Sequence, residues 1–360
     1  MIGPYNPKSE MLGGRYSITS YIGAGGMQHV YLAHDQLLKR HVALKTPKDG
    51  SNQKRFQKSA YVSAKINQNN VAKTLDYFTD ENGRDCLIEE YVGGADLKSV
   101  VIVNKLPFLP PSACARLLHQ LSKGLASSHQ VGVVHRDLKP SNIMISGDFR
   151  FSNAKITDFG IAKMAEEEIG AWADTQGSTS SKTVLGAIPY MSPESISDFK
   201  KATMPSDVWA IGAIIFELLS GGLPFGNGLK SIPNILEAKP PQKPTQISAP
   251  QFKELGEQVF ELLLSCMKKK PEDRPAADKL ASACGELCYS QEEYELGKIS
   301  QNTVSGNSFG GFIQPDNGNS LFYHRSNFYG TAKNVVGQSV WYARGEGAGN
   351  DRAFPIVCLG

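Results

Sequence analysis

The stretch HRDLKPSN at residues 135–142, followed downstream by DFG beginning at Asp158, decides the fold of this chain. It brings an aspartate, Asp137, close in sequence to a lysine, Lys139, and an amide, Asn142. A loop carboxylate can accept or orient the proton of an attacking hydroxyl, while an amide and a second carboxylate can hold magnesium against a triphosphate. A nearby lysine can offset the negative charge that builds up in the transition state. These residue types at these spacings predict phosphoryl transfer.

Each of these side chains has an expected role. We expect Asp137 to be the base and Lys139 to contact the transferred phosphoryl group, while Asn142 and Asp158 are the expected Mg²⁺ ligands. The motifs resemble those of the eukaryotic-like (bacterial Hanks-type) protein kinases, and lysine at position 139 resembles their Ser/Thr-specific branch. The resemblance implies ATP and Mg²⁺ as cofactors and the serine or threonine hydroxyls of proteins as phosphate acceptors.

The same resemblance implies an α+β, bilobal kinase fold. A β-rich N-lobe is expected over residues 16–92 and a helical C-lobe over residues 93–290, preceded by an N-terminal tail over residues 1–15. In the C-lobe, Glu194 and Arg274 occupy the positions at which relatives form a buried structural ion pair.

A glycine-rich turn precedes these motifs. Residues 16–33 predict two strands joined by this turn, where glycine lets backbone N–H groups approach phosphates closely. The VALK motif at residues 42–45 resembles the family's V-A-I-K, which implies that Lys45 pairs with the α- and β-phosphates. The residues expected around ATP are Ile22, Gly23, Ala24, Gly25, Gly26, Val30, Ala43, Lys45, Glu89, Glu90 and Val92.

Two positions of the N-lobe depart from the family pattern. Gln28 replaces the third glycine of the turn, and its side chain either folds over the phosphates or points outward. Ser59 stands where relatives carry the glutamate that pairs with the strand lysine. Glu89 falls at the rear of the nucleotide pocket, and we expect it to pair with Lys45, because a buried charge without a partner costs several kcal/mol. The alternative is a register difference that directs Glu89 to solvent.

The segment between the DFG motif and Glu194 is rich in serine and threonine. In the family, the arginine at the position of Arg136 gathers phosphate on this segment through charge-assisted hydrogen bonds. We therefore expect autophosphorylation there, with Thr183 and then Thr179 as the candidate sites. Ala187 replaces a threonine whose hydroxyl, in relatives, contacts the catalytic aspartate and lysine.

Residues 296–360 predict a second domain, because glycine, asparagine and aromatic residues rise and strand-like alternation replaces helical periodicity. Their motifs resemble, in order, those of a cold-shock domain, a small all-β OB-type barrel. Flat rings on one face of such a barrel can stack on single-stranded RNA or DNA bases. The candidates are Phe309, Phe312, Phe322 and His324. The alternative is an aromatic barrel that docks on a protein or on the kinase lobe.

Charge, cysteine content and hydropathy limit the partners and the cell compartment that the sequence predicts. The net charge is +3, so bulk electrostatics require neither nucleic acid nor an anionic membrane as partner. The six cysteines form no C-x-x-C pair, and no apolar stretch is long enough to span a bilayer, so we expect a cytoplasmic protein without a membrane partner. Two rival functions stay open, a pseudokinase scaffold and a single-stranded nucleic-acid-binding protein with a vestigial kinase domain.

Overall fold

A computed structural model shows a β-rich lobe, a helical lobe and a small β-barrel in chain order. The residues that the structure describes are 4–5, 11–24, 28–49, 53–147, 150–159, 186–303, 310–331, 335–346 and 351–360. The helices in these ranges are α1 (Gln53–Ser63), α2 (Leu97–Val103), α3 (Pro111–Gln130), α4 (Pro193–Ser197), α5 (Met204–Ser220), α6 (Ile232–Glu237), α7 (Pro250–Cys266) and α8 (Ala277–Gly285).

The N-lobe is an antiparallel sheet with helix α1 packed against it. Its strands are β1 (Met11–Leu12), β2 (Tyr16–Ala24), β3 (Gln28–Asp35), β4 (Arg40–Pro47), β5 (Thr74–Thr79) and β6 (Asp85–Glu90), in the order β1-β2-β3-β4-β6-β5. Alternating apolar residues on β2 and β3 bury one face, as expected for a sheet with one face on the core. The end of β2, the start of β3 and strand β4 therefore lie side by side over the cleft between the lobes.

Within the segment predicted as an N-terminal tail, Tyr5 and Leu12 pack into the core of the N-lobe. Tyr5 is buried, its ring lies 5.5 Å from that of Tyr31, and its hydroxyl donates to Asp80 at 2.7 Å. Leu12 is also buried and extends the sheet through strand β1. A buried tyrosine with a satisfied hydroxyl anchors a chain end as firmly as a core residue.

The C-lobe is built around helix α5, which is buried on nearly every side. Its mixed Ile, Ala and Leu sequence lacks a polar face, as expected of a helix in the centre of a lobe. Helix α3 packs along it with the apolar stripe predicted from its periodicity. A three-stranded sheet, made of β7 (Gly94–Asp96), β8 (Ile143–Ser146) and β9 (Asn153–Ile156), carries the catalytic loop at the edge of this core.

The C-terminal part closes into a five-stranded barrel. Its strands are β10 (Tyr294–Thr303), β11 (Gly310–Pro315), β12 (Leu321–His324), β13 (Ser339–Gly345) and β14 (Arg352–Cys358), in the order β10-β11-β12-β14-β13. The β12–β14 pair is parallel, and the other pairs are antiparallel. The barrel begins at Tyr294, two residues before the predicted boundary.

The barrel has an apolar core of its own, around Ile313 and Tyr323, and it also packs against the core of the C-lobe. Tyr294 and Trp341 lie on the neighbouring strands β10 and β13 and stack with ring centroids 3.7 Å apart. Trp341 is fully buried, and its ring meets the edge of Phe151 in the lobe at 5.4 Å. Arg116 of helix α3 donates to the carbonyl of Glu292 at 2.7 Å and lies over the Tyr294 ring. Together, these contacts fix the start of the barrel to the lobe.

A second set of aromatic contacts holds the far side of the barrel. The ring of Tyr329 lies between Phe108 at 5.3 Å and Phe252 at 5.1 Å, in edge-to-face geometry with both. Its hydroxyl donates to the carbonyl of Leu219 at 2.9 Å. At Gly330, the added Cβ of any other residue would overlap the Phe108 ring, so glycine is required for this close approach. Within the described ranges, none of the helices is both long and apolar enough to cross a bilayer.

Candidate active site

A cavity of about 930 Å³ lies between the two lobes. It is bounded by the end of β2, the start of β3, strand β4, the segment after β6 and the catalytic loop. The predicted site residues among its lining are Ile22, Gly23, Ala24, Val30, Ala43, Lys45, Glu89, Glu90, Val92, Asp137, Lys139, Asn142 and Asp158. Gly25 and Gly26, also predicted there, lie outside the described residues. One concave site therefore brings together predicted residues that are spread along the chain from Ile22 to Asp158.

The catalytic loop holds three of these side chains in contact. The Lys139 ammonium lies 2.7 Å from Asp137 Oδ2. Asn142 donates from Nδ2 to the backbone carbonyl of Asp137 at 2.7 Å and to Oδ2 of the same residue at 3.3 Å. Because the amide nitrogen of Asn142 is engaged in this way, its oxygen is the atom left to bind a cation.

Helix α5 anchors this loop through Asp207. Its buried carboxylate accepts the backbone N–H groups of His135 and Arg136, each at 2.8 Å. Arg136 has a φ of 68°, a left-handed conformation that is uncommon for a non-glycine residue and needs such external support. His135 in turn contacts the carbonyl of Thr157 at 2.8 Å, and its ring lies 4.7 Å from that of Phe159. The loop that carries Asp137 and the start of the DFG segment are thus held together.

Lys45 lies at the rear of the cavity between two carboxylates. Its ammonium forms an ion pair with Glu89 and another with Asp158 Oδ1 at 2.7 Å. The Glu89 side chain is 7% exposed, so the alternative in which a register difference turns it to solvent does not occur. Burial acts to lower the pKa of Lys45, but the two carboxylates outweigh it and raise the pKa, which keeps the lysine charged.

The two carboxylates around Lys45 differ in their protonation preferences. Burial raises the pKa of Glu89 in spite of the lysine beside it. For Asp158, burial also acts to raise the pKa, but Lys45 outweighs it and the pKa is lowered. Lys45 therefore favours the charged form of Asp158.

Gln28 and Ser59, the two N-lobe residues that depart from the family pattern, occupy different parts of the site. Gln28 is 5% exposed and folds inward, where its amide donates to Asp158 Oδ1 at 3.0 Å. This is the inward alternative of the two considered for this side chain. Ser59 is buried on helix α1, and its hydroxyl donates to the carbonyl of Phe159 at 3.4 Å. The helix therefore contacts the DFG segment through a hydroxyl rather than Lys45 through a carboxylate.

The end of strand β6 is tied to the C-lobe by an ion pair that sequence reasoning missed. The Glu90 carboxylate lies 3.0 Å from the Lys155 ammonium on strand β9. Nothing in the local sequence marks Lys155, because the pair forms only when β9 lies under this segment. Val92, predicted to offer a backbone group to the edge of the adenine, is buried and lines the cavity.

In the C-lobe, Arg274 and Glu194 form a bidentate ion pair, with N–O distances of 2.6 and 2.8 Å. Burial acts to raise the pKa of Glu194, but the hydrogen bonds from Arg274 and Ser206 outweigh it and lower the pKa. Ala187 lines the cavity and has no hydroxyl to offer there. Thr179 and Thr183, the candidate phosphorylation sites, lie outside the described residues.

The aromatic residues predicted to stack on bases meet on one face of the barrel. Phe312 and Phe322 are direct cross-strand partners on β11 and β12, with ring centroids 5.8 Å apart, and both are half-buried. His324 lies two residues further along β12, on the same face, and is exposed. Arg352 is also exposed and lies opposite Phe322 on β14. Phe309 lies outside the described residues.

The bilobal fold and the cleft between the lobes are typical of protein kinases, and comparison with known proteins supports this class. The family described as protein kinase domain matches residues 16–283. The chain therefore belongs to the protein kinase domain family, and the predicted bilobal fold is confirmed. Among solved structures, it is similar to the crystal structure of Rad53 1–466 in complex with AMP-PNP, with a TM-score of 0.57 and 22% identity over 75% of this chain and 64% of that one. That likeness supports the fold.

Its curated relatives are bacterial serine/threonine-protein kinases. The chain is 32% identical over 286 residues to pkn2 of Myxococcus xanthus, which is 77% of this chain and 33% of that protein. It is 36% identical over 219 residues to PrkC of Bacillus subtilis, covering 59% of this chain and 32% of that protein. It is 31% identical over 301 residues to a probable PknB of Corynebacterium glutamicum, covering 81% and 43%. The chain thus spans between 32% and 43% of the length of these relatives.

Proposed function

We propose that this chain is a serine/threonine protein kinase that transfers the γ-phosphate of Mg-ATP to protein hydroxyls. The observation that carries the proposal is the convergence of Asp137, Lys139, Asn142, Asp158 and Lys45 in one cavity between the lobes. The side chains supply a base, two cations and two oxygen ligands, which are the parts that phosphoryl transfer requires. A pseudokinase need not retain all five side chains around one cavity.

Each residue of the catalytic loop has its own role in the proposed reaction. Asp137 is held through Oδ2 by Lys139 and Asn142, which leaves Oδ1 to orient a substrate hydroxyl and receive its proton. Lys139 is close enough to Asp137 to reach the phosphoryl group that the hydroxyl attacks. Asn142 and Asp158 fit Mg²⁺, since amide and carboxylate oxygens are its preferred protein ligands. When bound, the ion neutralises charge on the nucleotide's phosphates.

Lys45 and Glu89 position the nucleotide. The ammonium of Lys45 is held near Asp158, where the phosphates must come to lie beside the metal. We propose that Glu89 replaces the helix glutamate that Ser59 does not provide, because it supplies the only carboxylate on β6 or α1 that the described residues bring to Lys45. Ala43 and Val30 would then cover the adenine from the N-lobe side.

A Mg²⁺ titration tests the assignment of the metal ligands. Changing Asn142 to alanine removes one oxygen ligand and the amide that orients Asp137, so the Mg²⁺ concentration for half-maximal transfer should rise about tenfold or more. Initial rates at fixed ATP over a range of Mg²⁺ give this value. The matched control is Asn82→Ala, at an exposed turn of the N-lobe. An unchanged Mg²⁺ requirement in Asn142→Ala would remove Asn142 from the site.

We further propose that the kinase phosphorylates its own activation segment at Thr183 or Thr179. The support is Arg136, which directly precedes the base and is held by Asp207. Its guanidinium would gather a phosphate on that segment through charge-assisted hydrogen bonds. A cytoplasmic location is also proposed, in keeping with cysteines that are buried thiols, as at Cys86 and Cys266.

For the barrel, we infer an OB-type, cold-shock-like fold that binds single-stranded RNA or DNA. The support is the strand order, with a parallel pair closing five strands, and the half-buried pair Phe312 and Phe322 beside exposed His324 and Arg352. Rings of this kind give stacking platforms, and the arginine supplies a charge for the phosphate backbone. The rival use of the barrel, docking on the kinase lobe, is supported by the shared aromatic core at Trp341. The two uses involve different faces and are compatible.

A binding measurement tests the stacking face. Changing Phe322 to alanine should weaken binding of a labelled single-stranded oligonucleotide at low salt by about 5- to 150-fold. This corresponds to the loss of one stacked base, which contributes about 1–3 kcal/mol to the free energy of binding. Fluorescence anisotropy gives the dissociation constant. The control is Tyr61→Ala, which removes an exposed ring on the N-lobe. Absence of binding by the wild type at low salt would leave docking as the function of the barrel.

A further inference from the structure

The carboxylate that pairs with Lys45 lies on a strand rather than on helix α1. In the register of β4 and β6, Ala43 lies opposite Glu89 and Lys45 lies opposite Leu87. Lys45 and Glu89 are therefore diagonal neighbours on the same face of adjacent strands, a spacing that long side chains bridge. The hydrogen bonds of the ladder fix the distance between their Cα atoms. Movement of any other element leaves that distance unchanged.

Helix α1 is attached to the same face by different contacts. Phe56 and Ala60 pack on Leu87 and form a small apolar cluster with it. The polar contact of the helix with the catalytic centre is the long bond from Ser59 to the Phe159 carbonyl, at 3.4 Å. Among the side chains that the structure describes, neither kind of contact involves the ammonium of Lys45. The helix thus covers the lysine pair without being one of its partners.

This arrangement differs from the one that controls most protein kinases. There, the strand lysine pairs with a glutamate on the helix, so displacing the helix breaks the pair and turns the enzyme off. In this chain, a displaced helix would lose apolar contacts with Leu87 but would leave Glu89 beside Lys45. The position of Lys45 therefore does not depend on the position of helix α1.

We propose that Glu89 is the positioning residue for Lys45 and that it makes the nucleotide site independent of helix α1. The inference rests on the proposed function, because it concerns the regulation of the same site. It follows that signals acting through the helix leave nucleotide binding unchanged in this kinase.

The test loosens the helix and removes the carboxylate in separate variants of the full chain. Lys58→Gly weakens helix α1 at an exposed position, and Lys58→Ala is its matched control, since alanine removes the same side chain but favours the helix. Glu89→Gln keeps the size of the side chain and removes its charge. Two quantities are measured for each variant, the dissociation constant of Mg²⁺ with AMP-PNP by calorimetry and the hydrogen exchange of amides 53–63.

We expect the two variants to give opposite results. Lys58→Gly should raise exchange in residues 53–63 and leave the dissociation constant within about twofold of wild type. Glu89→Gln should weaken nucleotide binding at least tenfold and leave exchange in the helix unchanged. A loss of nucleotide affinity in Lys58→Gly that matches the loss in Glu89→Gln would overturn the inference, as would unchanged binding in Glu89→Gln. A wild type that binds AMP-PNP but transfers no phosphate would contradict the proposed function and leave this inference standing.

Discussion

Changing Asp137 to asparagine is expected to lower kcat for phosphoryl transfer by about 10²–10⁴-fold, the usual contribution of a general base. Asparagine has nearly the same shape but cannot receive the proton of the substrate hydroxyl. Lys139 and Asn142 both contact Asp137 Oδ2, so the variant also loses the charge that holds Lys139 in place. Initial rates of phosphate transfer to a protein substrate at saturating Mg-ATP measure the effect.

Nucleotide binding separates a loss of chemistry from a loss of structure. Because Asp137 does not contact Lys45 or Glu89, the Asp137→Asn variant should bind Mg²⁺ with AMP-PNP within about threefold of wild type. Asp278→Asn, an exposed change at the start of helix α8, serves as the matched control. Transfer rates in Asp137→Asn that equal those of the control would exclude Asp137 as the base.

The second large effect is expected at the contact between barrel and lobe. Changing Trp341 to alanine should lower the free energy of unfolding by about 3–5 kcal/mol, as for other large buried aromatics. The change removes the ring that stacks on Tyr294 at 3.7 Å and meets Phe151 at 5.4 Å, and it leaves a cavity between two elements that cannot close on each other. Urea unfolding of the full chain measures the loss. The transition is monitored by far-UV circular dichroism, which reports on the backbone and does not rely on the tryptophan that is removed.

The shape of the unfolding transition carries further information. If the packing of Trp341 on the lobe couples the unfolding of the two parts, the wild type unfolds in one cooperative transition that Trp341→Ala shifts as a whole. Val336→Ala, an exposed apolar change on the barrel, is the control and should cost less than about 0.5 kcal/mol. Two separate transitions, with Trp341→Ala moving the barrel's transition and leaving that of the lobe in place, would instead support an independent second domain.

The catalytic loop was predictable because its information is local. Asp137, Lys139 and Asn142 lie within six residues, and a short loop leaves few ways to arrange three side chains that must contact one another. The proximity of Glu89 to Lys45 was predictable for a different reason. With Ser59 in place of a carboxylate, a buried lysine needs another partner, and two neighbouring strands of a sheet can supply one.

The contacts that depend on packing between distant elements were not predictable. Trp341 and Tyr294 lie on the outer side of barrel strands, where alternation predicts exposure, and their burial depends on helix α3 and Phe151. Tyr5 stands in a polar segment without periodicity, so nothing in its surroundings indicates that its hydroxyl reaches Asp80. In each case, the partner lies far away in the chain and leaves no local signal.

The most direct test of the central claim follows the γ-phosphate itself. Wild-type protein is incubated with Mg²⁺ and ATP radiolabelled at the γ-phosphate, beside the Lys45→Met and Asp137→Asn variants, and the labelled amino acids and sites are identified. The account predicts label on serine or threonine in the wild type, including the segment that contains Thr179 and Thr183, and little or none in either variant. A wild type that binds the nucleotide but carries no more label than Asp137→Asn would contradict it.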